Sequence, residues 1–445
     1  MIIKNGKVAL PGKDELSPVD IRVVDGKIAE LGEDLTGDDE IIEARGMIVL
    51  PGGIDPHVHF DDPGFTDRED FYHGSCCSAS GGITTVIDMP CTSIPPVTDL
   101  DNLREKLGVI EKKAVIDFGL FGGISPQSMA GGYPDNFREL SELVLGFKTY
   151  FISVMEFFSA LNHFQFRGVL EKAKELGAII LLHAEDLSYV NAATDYYMKR
   201  GKAPIDYYRS RPEAAEVLAV ANAVELAEEV GGDLHIVHVS TARAAEIIAS
   251  SSVTCETEPH YLQFDIDDFI RLGSPLKTTP PVKKPGNKER LWQYLSDGRI
   301  NFVASDHAPC PASGKETASI WTDYAGFPGS GTLLPYLFSE GYMKGRLSLR
   351  RLVEVASENA ARRYGLYPRK GAIEVGTDGD LVLIDPDRTW TVEGEKFLSK
   401  GHITPFEGME LKGRVIRTIV RGTTVYDADR GIRVEGGYGR FLTGP

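Results

Sequence analysis

The chain is expected to be an α/β protein, a (β/α)8 TIM barrel with a small β-sandwich domain built from both termini. Three observations lead there. Eight short apolar runs alternate with helix-compatible stretches, residues able to bind metals stand at the ends of several runs, and the two chain ends follow a different, hairpin-like pattern. Alternating strand and helix builds a parallel sheet, and a closed barrel of this kind gathers its functional residues at the C-terminal ends of the strands.

In chain order, residues 1 to about 50 alternate apolar and polar positions around Asn5-Gly6 and Asp25-Gly26, the chemistry of tight hairpins. The apolar runs then lie at 47–50, 83–87, 114–118, 144–147, 178–182, 234–237, 253–257 and 300–305. Between them, stretches such as 162–176, 212–230 and 287–295 are helix-compatible, and Leu218, Ala221, Val224, Leu226 and Ala227 recur roughly at helical spacing. The tail, with runs at 380–384 and 415–422, returns to the hairpin pattern. The expected division is residues 1–50 and 367–445 for the two parts of the sandwich and 51–366 for the barrel.

The chain has 445 residues, 42% of them hydrophobic, so it can bury a large core. A formal charge of −17 argues against a nucleic-acid partner, which would need a basic face. Neither a long apolar leader nor an apolar run of membrane-spanning length is present, so no membrane partner is expected and the cytoplasm is the default location. The cysteines, 76, 77, 91, 255 and 310, are odd in number and lack zinc-finger spacing, so they are read as reduced thiols, with Cys310 lining the mouth.

The chemistry concentrates at the run ends. In Asp55-Pro-His57-Val-His59 two imidazoles are two residues apart, and residues i and i+2 of a strand share a face, so both can grip one divalent cation. Lys148, His183, His238 and Asp306 each follow their own run. A lysine among metal ligands is anomalous, because an ammonium repels cations. Either Lys148 has reacted as the free amine with carbon dioxide to give an anionic carbamate that bridges two metals, or it is an inward lysine paired with Asp306.

The set Asp55-Pro-His-Val-His59, Gly146-Phe-Lys148, Leu182-His-Ala-Glu185, His235-Ile-Val-His238, Glu256-Thr-Glu-Pro-His-Tyr261 and Ser305-Asp-His-Ala-Pro309 resembles the cyclic amidohydrolases of the amidohydrolase superfamily, the group of dihydroorotase, allantoinase, hydantoinase and dihydropyrimidinase. The resemblance covers nearly the whole chain. It implies two divalent metal ions, zinc being expected. His57 and His59 would hold the more buried ion, His183 and His238 the more exposed one, and carboxylated Lys148 would bridge both. Asp306 would ligate the first metal and act as general base, taking the proton of a hydroxide held between the ions and returning it to the leaving amide nitrogen. A small cyclic amide is the implied partner, and relatives of this kind are often homodimers or homotetramers.

Dihydroorotases typically carry an Arg just after His-x-His and an Asn after Met-Pro to hold the substrate carboxylate. Here those places are Phe60-Asp61 and Cys91, and an aspartate would repel an anion. Hydantoinases usually place a Tyr five residues after the bridging lysine, where this chain has Ser153, with Tyr150 nearby. The reading is therefore allantoinase- or hydantoinase-like ring opening, nearest to allantoinase, with dihydroorotase as the alternative. Ser153, His260, Thr278, Thr279 and Phe327 are the expected substrate contacts, and His307 stands beside the base. His73, His163, His235 and His402 are read as structural. A one-metal deaminase would lack Lys148 and a non-catalytic scaffold would have lost ligands, so the intact set argues against both.

Overall fold

The computed structural model describes residues 1–38 and 40–444. Its centre is a ring of eight parallel strands: β1 (Gly53–Val58), β2 (Ile83–Asp88), β3 (Asp117–Leu120, resuming at Gly122–Gly123), β4 (Phe147–Tyr150), β5 (Ile180–His183), β6 (Leu234–Ile236), β7 (Thr254–Thr257) and β8 (Phe302–Val303). Each strand pairs with the next, and the ring closes where Val58 bridges His307 in parallel and His59 N–H donates to the His307 carbonyl at 2.8 Å. Asp55 of β1 locks the same seam, accepting from Ser305 N at 3.0 Å and from Ser305 Oγ at 2.6 Å.

The helices form the outer layer, and their sequences explain their ends. His163–Leu176 starts on Asn162, whose side chain accepts from Gln165 N, and stops at Gly177 in the left-handed region (φ 65°). Glu213–Val230 ends similarly at Gly231. Its buried face is Ala215, Ala219, Val220, Ala223 and Ala227, while Leu218, part of the apolar pattern expected to mark the helix, is 48% exposed. Close packing against the barrel favours alanines here, so residue size rather than hydrophobicity picks the inner face.

Both termini build the second unit. One sheet runs in the order Lys27–Gly32, Asp20–Val24, Ile2–Lys4, Ile41–Glu43. The other has seven strands and joins Lys7–Val8 and Ile48–Pro51 from the N-terminal part to Leu381–Thr391, Glu410–Val420 and Thr423–Asp427 from the tail. Ile3, Val8, Ile21, Val23, Val49, Leu381 and Ile419 fill the space between. The run at 47–50, expected to open the barrel, belongs here instead: Ile48–Pro51 pairs with Leu381–Thr391 on one side and Lys7–Val8 on the other. The chain crosses into the barrel at Gly52, where a Cβ would lie 2.1 Å from Thr84 Oγ1, so only glycine fits.

A buried charge cluster joins the two units. Lys370 Nζ lies 2.6 Å from Asp117 of β3, 2.6 Å from Asp380 and 3.1 Å from Asp378. Arg421 pairs with Asp117, and Arg440 N donates to the same carboxylate at 2.9 Å. The tail thereby lies along β3, with Phe118 N donating to the Arg440 carbonyl and Leu442 N to the Phe118 carbonyl. The three aspartates are close enough together to suggest a cation site, but Lys370, Arg421 and Arg369 already supply their positive charge. Lys370→Met would leave buried Asp380 without its cation. A loss of about 3–5 kcal/mol is expected, measurable by denaturant unfolding.

Candidate active site

Strand ends bring the predicted residues together at one mouth of the barrel. His57 and His59 come from the end of β1, Lys148 from β4, His183 from the end of β5, His238 from just beyond β6, and Asp306 from just beyond β8. Asp306 Oδ1 lies 3.4 Å from His57 Nε2 and 3.3 Å from His59 Nε2. His183 Nδ1 and His238 Nε2 face each other at 2.9 Å, and the His57 and His238 rings are 5.5 Å apart. His238 (φ 41°) and Asp306 (φ 49°) both hold left-handed backbone, a conformation costly for non-glycine residues and concentrated at functional sites.

The outward nitrogens of three of these rings are capped. His57 Nδ1 donates to Glu256 Oε1 at 2.5 Å, His59 Nδ1 to Thr92 Oγ1 at 3.2 Å, and His183 Nε2 to Glu185 Oε2 at 3.0 Å. For His57 and His183 these bonds assign the ring proton to the outside and leave a lone pair on the inward nitrogen, the tautomer a metal ligand needs. Burial pushes the His57, His183 and His238 protons off, keeping those imidazoles neutral. For His59 burial works the same way but is outweighed by hydrogen bonds to Asp306 and Cys91, which lift it to about 10. Asp306 itself is held below the usual carboxylate range, burial being outweighed by His57 and His59. The neutral imidazoles of His57, His183 and His238 beside an ionised carboxylate are donors that suit divalent cations.

Lys148 is 1% exposed, and its Nζ makes no hydrogen bond or ion pair among the described residues; the pairing with Asp306 considered above does not form. Nζ sits 4.8 Å from the Tyr150 ring centroid, and burial lowers its pKa to about 8. At neutral pH about a tenth of such a lysine is free amine, the form that takes up carbon dioxide, against well under 0.1% for an ordinary one.

Ser153 lies in the loop after β4, where its Oγ donates to the Phe158 carbonyl. Thr278 Oγ1 donates to the Pro280 carbonyl, so it and Ser153 brace their own loops, whereas Thr279 Oγ1, 2.7 Å from Tyr207 Oη, ties its loop to the helix Pro204–Ser210. Phe327 is buried against the ring of His260, whose two nitrogens have no partner and whose burial lowers it to about 4. His307 turns away from the base: it bonds Glu69 at 3.1 Å and accepts from Gly329 and Ser330 N–H. Cys310 is buried. His235 donates to the second oxygen of Glu256, a structural position as expected.

Sequence reasoning quoted Glu256 and Glu185 inside motifs but gave them no task, and the alternation along β7, which turns Glu256 inward, was the available signal. It missed Thr92 and Arg211. It also passed over Glu258, fully buried with both oxygens unpartnered and its carboxyl pushed upward by burial. Tyr150 stacks on His183, with Oη 2.9 Å from Cys91 Sγ.

The Amidohydrolase family model matches residues 48–425. The chain is 38% identical to an allantoinase of Rubrobacter xylanophilus, covering 99% of this chain and 97% of that one. It is 36% identical to an L-hydantoinase of Paenarthrobacter aurescens, covering 100% and 98%. The solved L-hydantoinase (dihydropyrimidinase) from Arthrobacter aurescens superposes with a TM-score of 0.94 at 34% identity over 99% of both chains. Fold and site together define a hydrolytic enzyme on a (β/α)8 barrel. The chain belongs to the amidohydrolase family.

Glu185 offers a test of the ligand supports. Burial would raise it, but Arg211 at 2.5 Å and His183 bring it down from 4.5 to about 2. A depressed carboxylate contributes stability that is fully present above its unfolded pKa near 4.5 and lost as pH falls through about 2, here roughly 3 kcal/mol. The stability gap between wild type and Glu185→Gln is expected to be level around neutrality and to narrow only in that acid window, as followed by thermal unfolding against pH.

Proposed function

We propose that this enzyme opens the ring of a neutral cyclic ureide or imide, in the manner of an allantoinase or hydantoinase, with two divalent metal ions in the mouth of the barrel. The observation that carries the reading is the inward convergence of His57, His59, His183 and His238 around Asp306 and Lys148, with three of the rings fixed from outside. His57 and His59 would hold one ion, His183 and His238 the other, Asp306 would join the first pair, and Lys148, carboxylated by carbon dioxide, would bridge. Zinc suits this nitrogen and oxygen donor set. When bound, such ions supply a Lewis acid for the scissile carbonyl and lower the pKa of water.

The residues of the chain do the rest. Asp306, low in pKa and facing two histidines, is anionic at neutral pH, so it can take the proton of the attacking water and pass it to the leaving amide nitrogen. Glu256, Thr92 and Glu185 keep the imidazoles aimed throughout, Glu185 itself being held by Arg211. Asp61, standing where dihydroorotases carry an arginine, offers no cation to an anionic ring, which supports neutral ureides over dihydroorotate. Cytoplasmic location and assembly as a homodimer or homotetramer accompany this reading; among the described residues no helix is long and apolar enough to cross a membrane.

Lys148→Ala is expected to lose both metal, by elemental analysis, and turnover, with partial rescue by short carboxylic acids that replace the carbamate. Retention of two ions in that variant would remove the bridge. Asp306→Asn keeps a coordinating oxygen but cannot take a proton, so turnover should fall about 10²–10⁴-fold with metal retained. The reading as a whole is decided by kcat/KM for allantoin, hydantoin, dihydrouracil and dihydroorotate on one metal-loaded preparation, where neutral five-membered rings are expected to lead.

A further inference from the structure

Glu256, Thr92 and Glu185 hold the outer nitrogens of three inward imidazoles, but His238 has no such support: among the described residues the one side chain its ring hydrogen-bonds is that of His183. Its backbone is left-handed (φ 41°), a conformation that persists only where the surroundings over-determine it. The residues that follow supply that constraint. Ser240 N–H and Thr241 N–H both donate to Glu216 Oε1, at 2.9 and 3.3 Å, and the Ser240 hydroxyl donates to Glu216 Oε2. Asn287 grips the same segment, accepting from Ala242 N–H and donating to the Ser240 carbonyl, both at 2.9 Å. Glu216 is buried in line with Ala219, Val220 and Ala223 on the inner face of helix Glu213–Val230, a carboxylate in an otherwise apolar stripe. Its cation is buried Lys283, 3.7 Å from Oε2. Lys283 Nζ also donates to the Arg211 carbonyl at 3.3 Å, and Arg211 holds Glu185, the support of His183. The supports of His183 and His238 therefore meet at one lysine, whereas among the described residues those of His57 and His59 have no hydrogen bond or ion pair with it.

We propose that Glu216, Asn287 and Lys283 are the positioning residues of His238 and, through it, set how firmly the more exposed of the two metal ions is held. The inference rests on the two-metal reading above and names the residues that govern the second ion. An imidazole on a segment free to move has to be ordered each time an ion binds, which weakens the complex, whereas a segment held in advance bears no such cost. Burial sharpens the effect. Without the Glu216 carboxylate, the Ser240 and Thr241 N–H groups and the Ser240 hydroxyl lose their acceptor in the protein interior, and the left-handed turn at His238 loses what holds it.

The test is the stepwise zinc affinity of the purified chain, read by competition with a chelator, for wild type, Glu216→Gln, Glu216→Ala and Asn287→Ala, and for the two alanine variants again in a His238→Ala background. Wild type is expected to hold two ions, the second more weakly. Glu216→Ala and Asn287→Ala should weaken the second ion about 10–100-fold, the range usual for groups that orient metal ligands, and leave the first unchanged. Glu216→Gln keeps an acceptor for the two N–H groups and should recover part of the loss. Once the His238 ring is gone, the same alanine changes should lower the residual affinity no further, because a positioning residue acts only through what it positions. Turnover of Asn287→Ala should climb toward the wild-type value as zinc is raised. A second ion held as tightly in the variants as in wild type, equal weakening of both ions, or a loss that persists in full without His238 overturns the proposal, the last two by reducing the network to general support of the fold. If Glu216→Ala does not fold, Asn287→Ala in the two backgrounds decides alone. A wild-type chain that takes up no metal removes the two-metal reading and this inference together.

Discussion

Closure of the barrel between β1 and β8 is the constraint on which everything else in this molecule depends. Those two strands are separated by almost the whole barrel sequence, yet they carry His57, His59 and Asp306, the tightest part of the site. The seam is held by a parallel bridge from Val58 to His307 and by Asp55, which accepts from both the backbone and the side chain of Ser305. All of this is buried, where a hydrogen bond that fails to form exposes the desolvation cost of its partner in full. The seam therefore tolerates little play, and the distances from Asp306 to the two imidazoles inherit its rigidity.

The same logic extends outward in layers. Each inward imidazole nitrogen is useful because an acceptor holds the opposite one: Glu256 for His57, Thr92 for His59, Glu185 for His183. Two of those acceptors are themselves engaged, Glu256 by His235 and Glu185 by Arg211. Buried ionic networks of this kind fix geometry, since any misplacement strands a charge in a medium of low polarity. At the far end of the barrel the cluster around Lys370 does for the two units what Asp55 does for the seam, tying Asp117 of β3 to Asp378 and Asp380 beside the sandwich.

Much of this was legible in the chain. Period-two alternation at the termini, apolar runs ending in ligand-type residues, and the odd presence of a lysine among histidines were enough to give the barrel, the composite sandwich and the grouping of His57, His59, Lys148, His183, His238 and Asp306, because each of these signals is local and physical. Misreadings arose where the signal was not local. The run at 47–50 is as apolar as a barrel strand, and only its partners, Leu381–Thr391 and Lys7–Val8, assign it to the sandwich. Leu218 carries helical periodicity yet faces out, because alanines pack closer to the barrel.

What the sequence determined by itself is therefore the inventory and the order: which residue types stand at strand ends, and that an aspartate follows His59 where an arginine would hold an anion. What only the tertiary structure decided is pairing across the ring. Thr92 against His59 and Arg211 behind Glu185 depend on side-chain direction between separate elements of the chain. Periodicity tells which face of a strand a residue occupies, but whether a buried polar group finds a partner is settled only when the ring closes and brings the remote neighbour within about 3 Å.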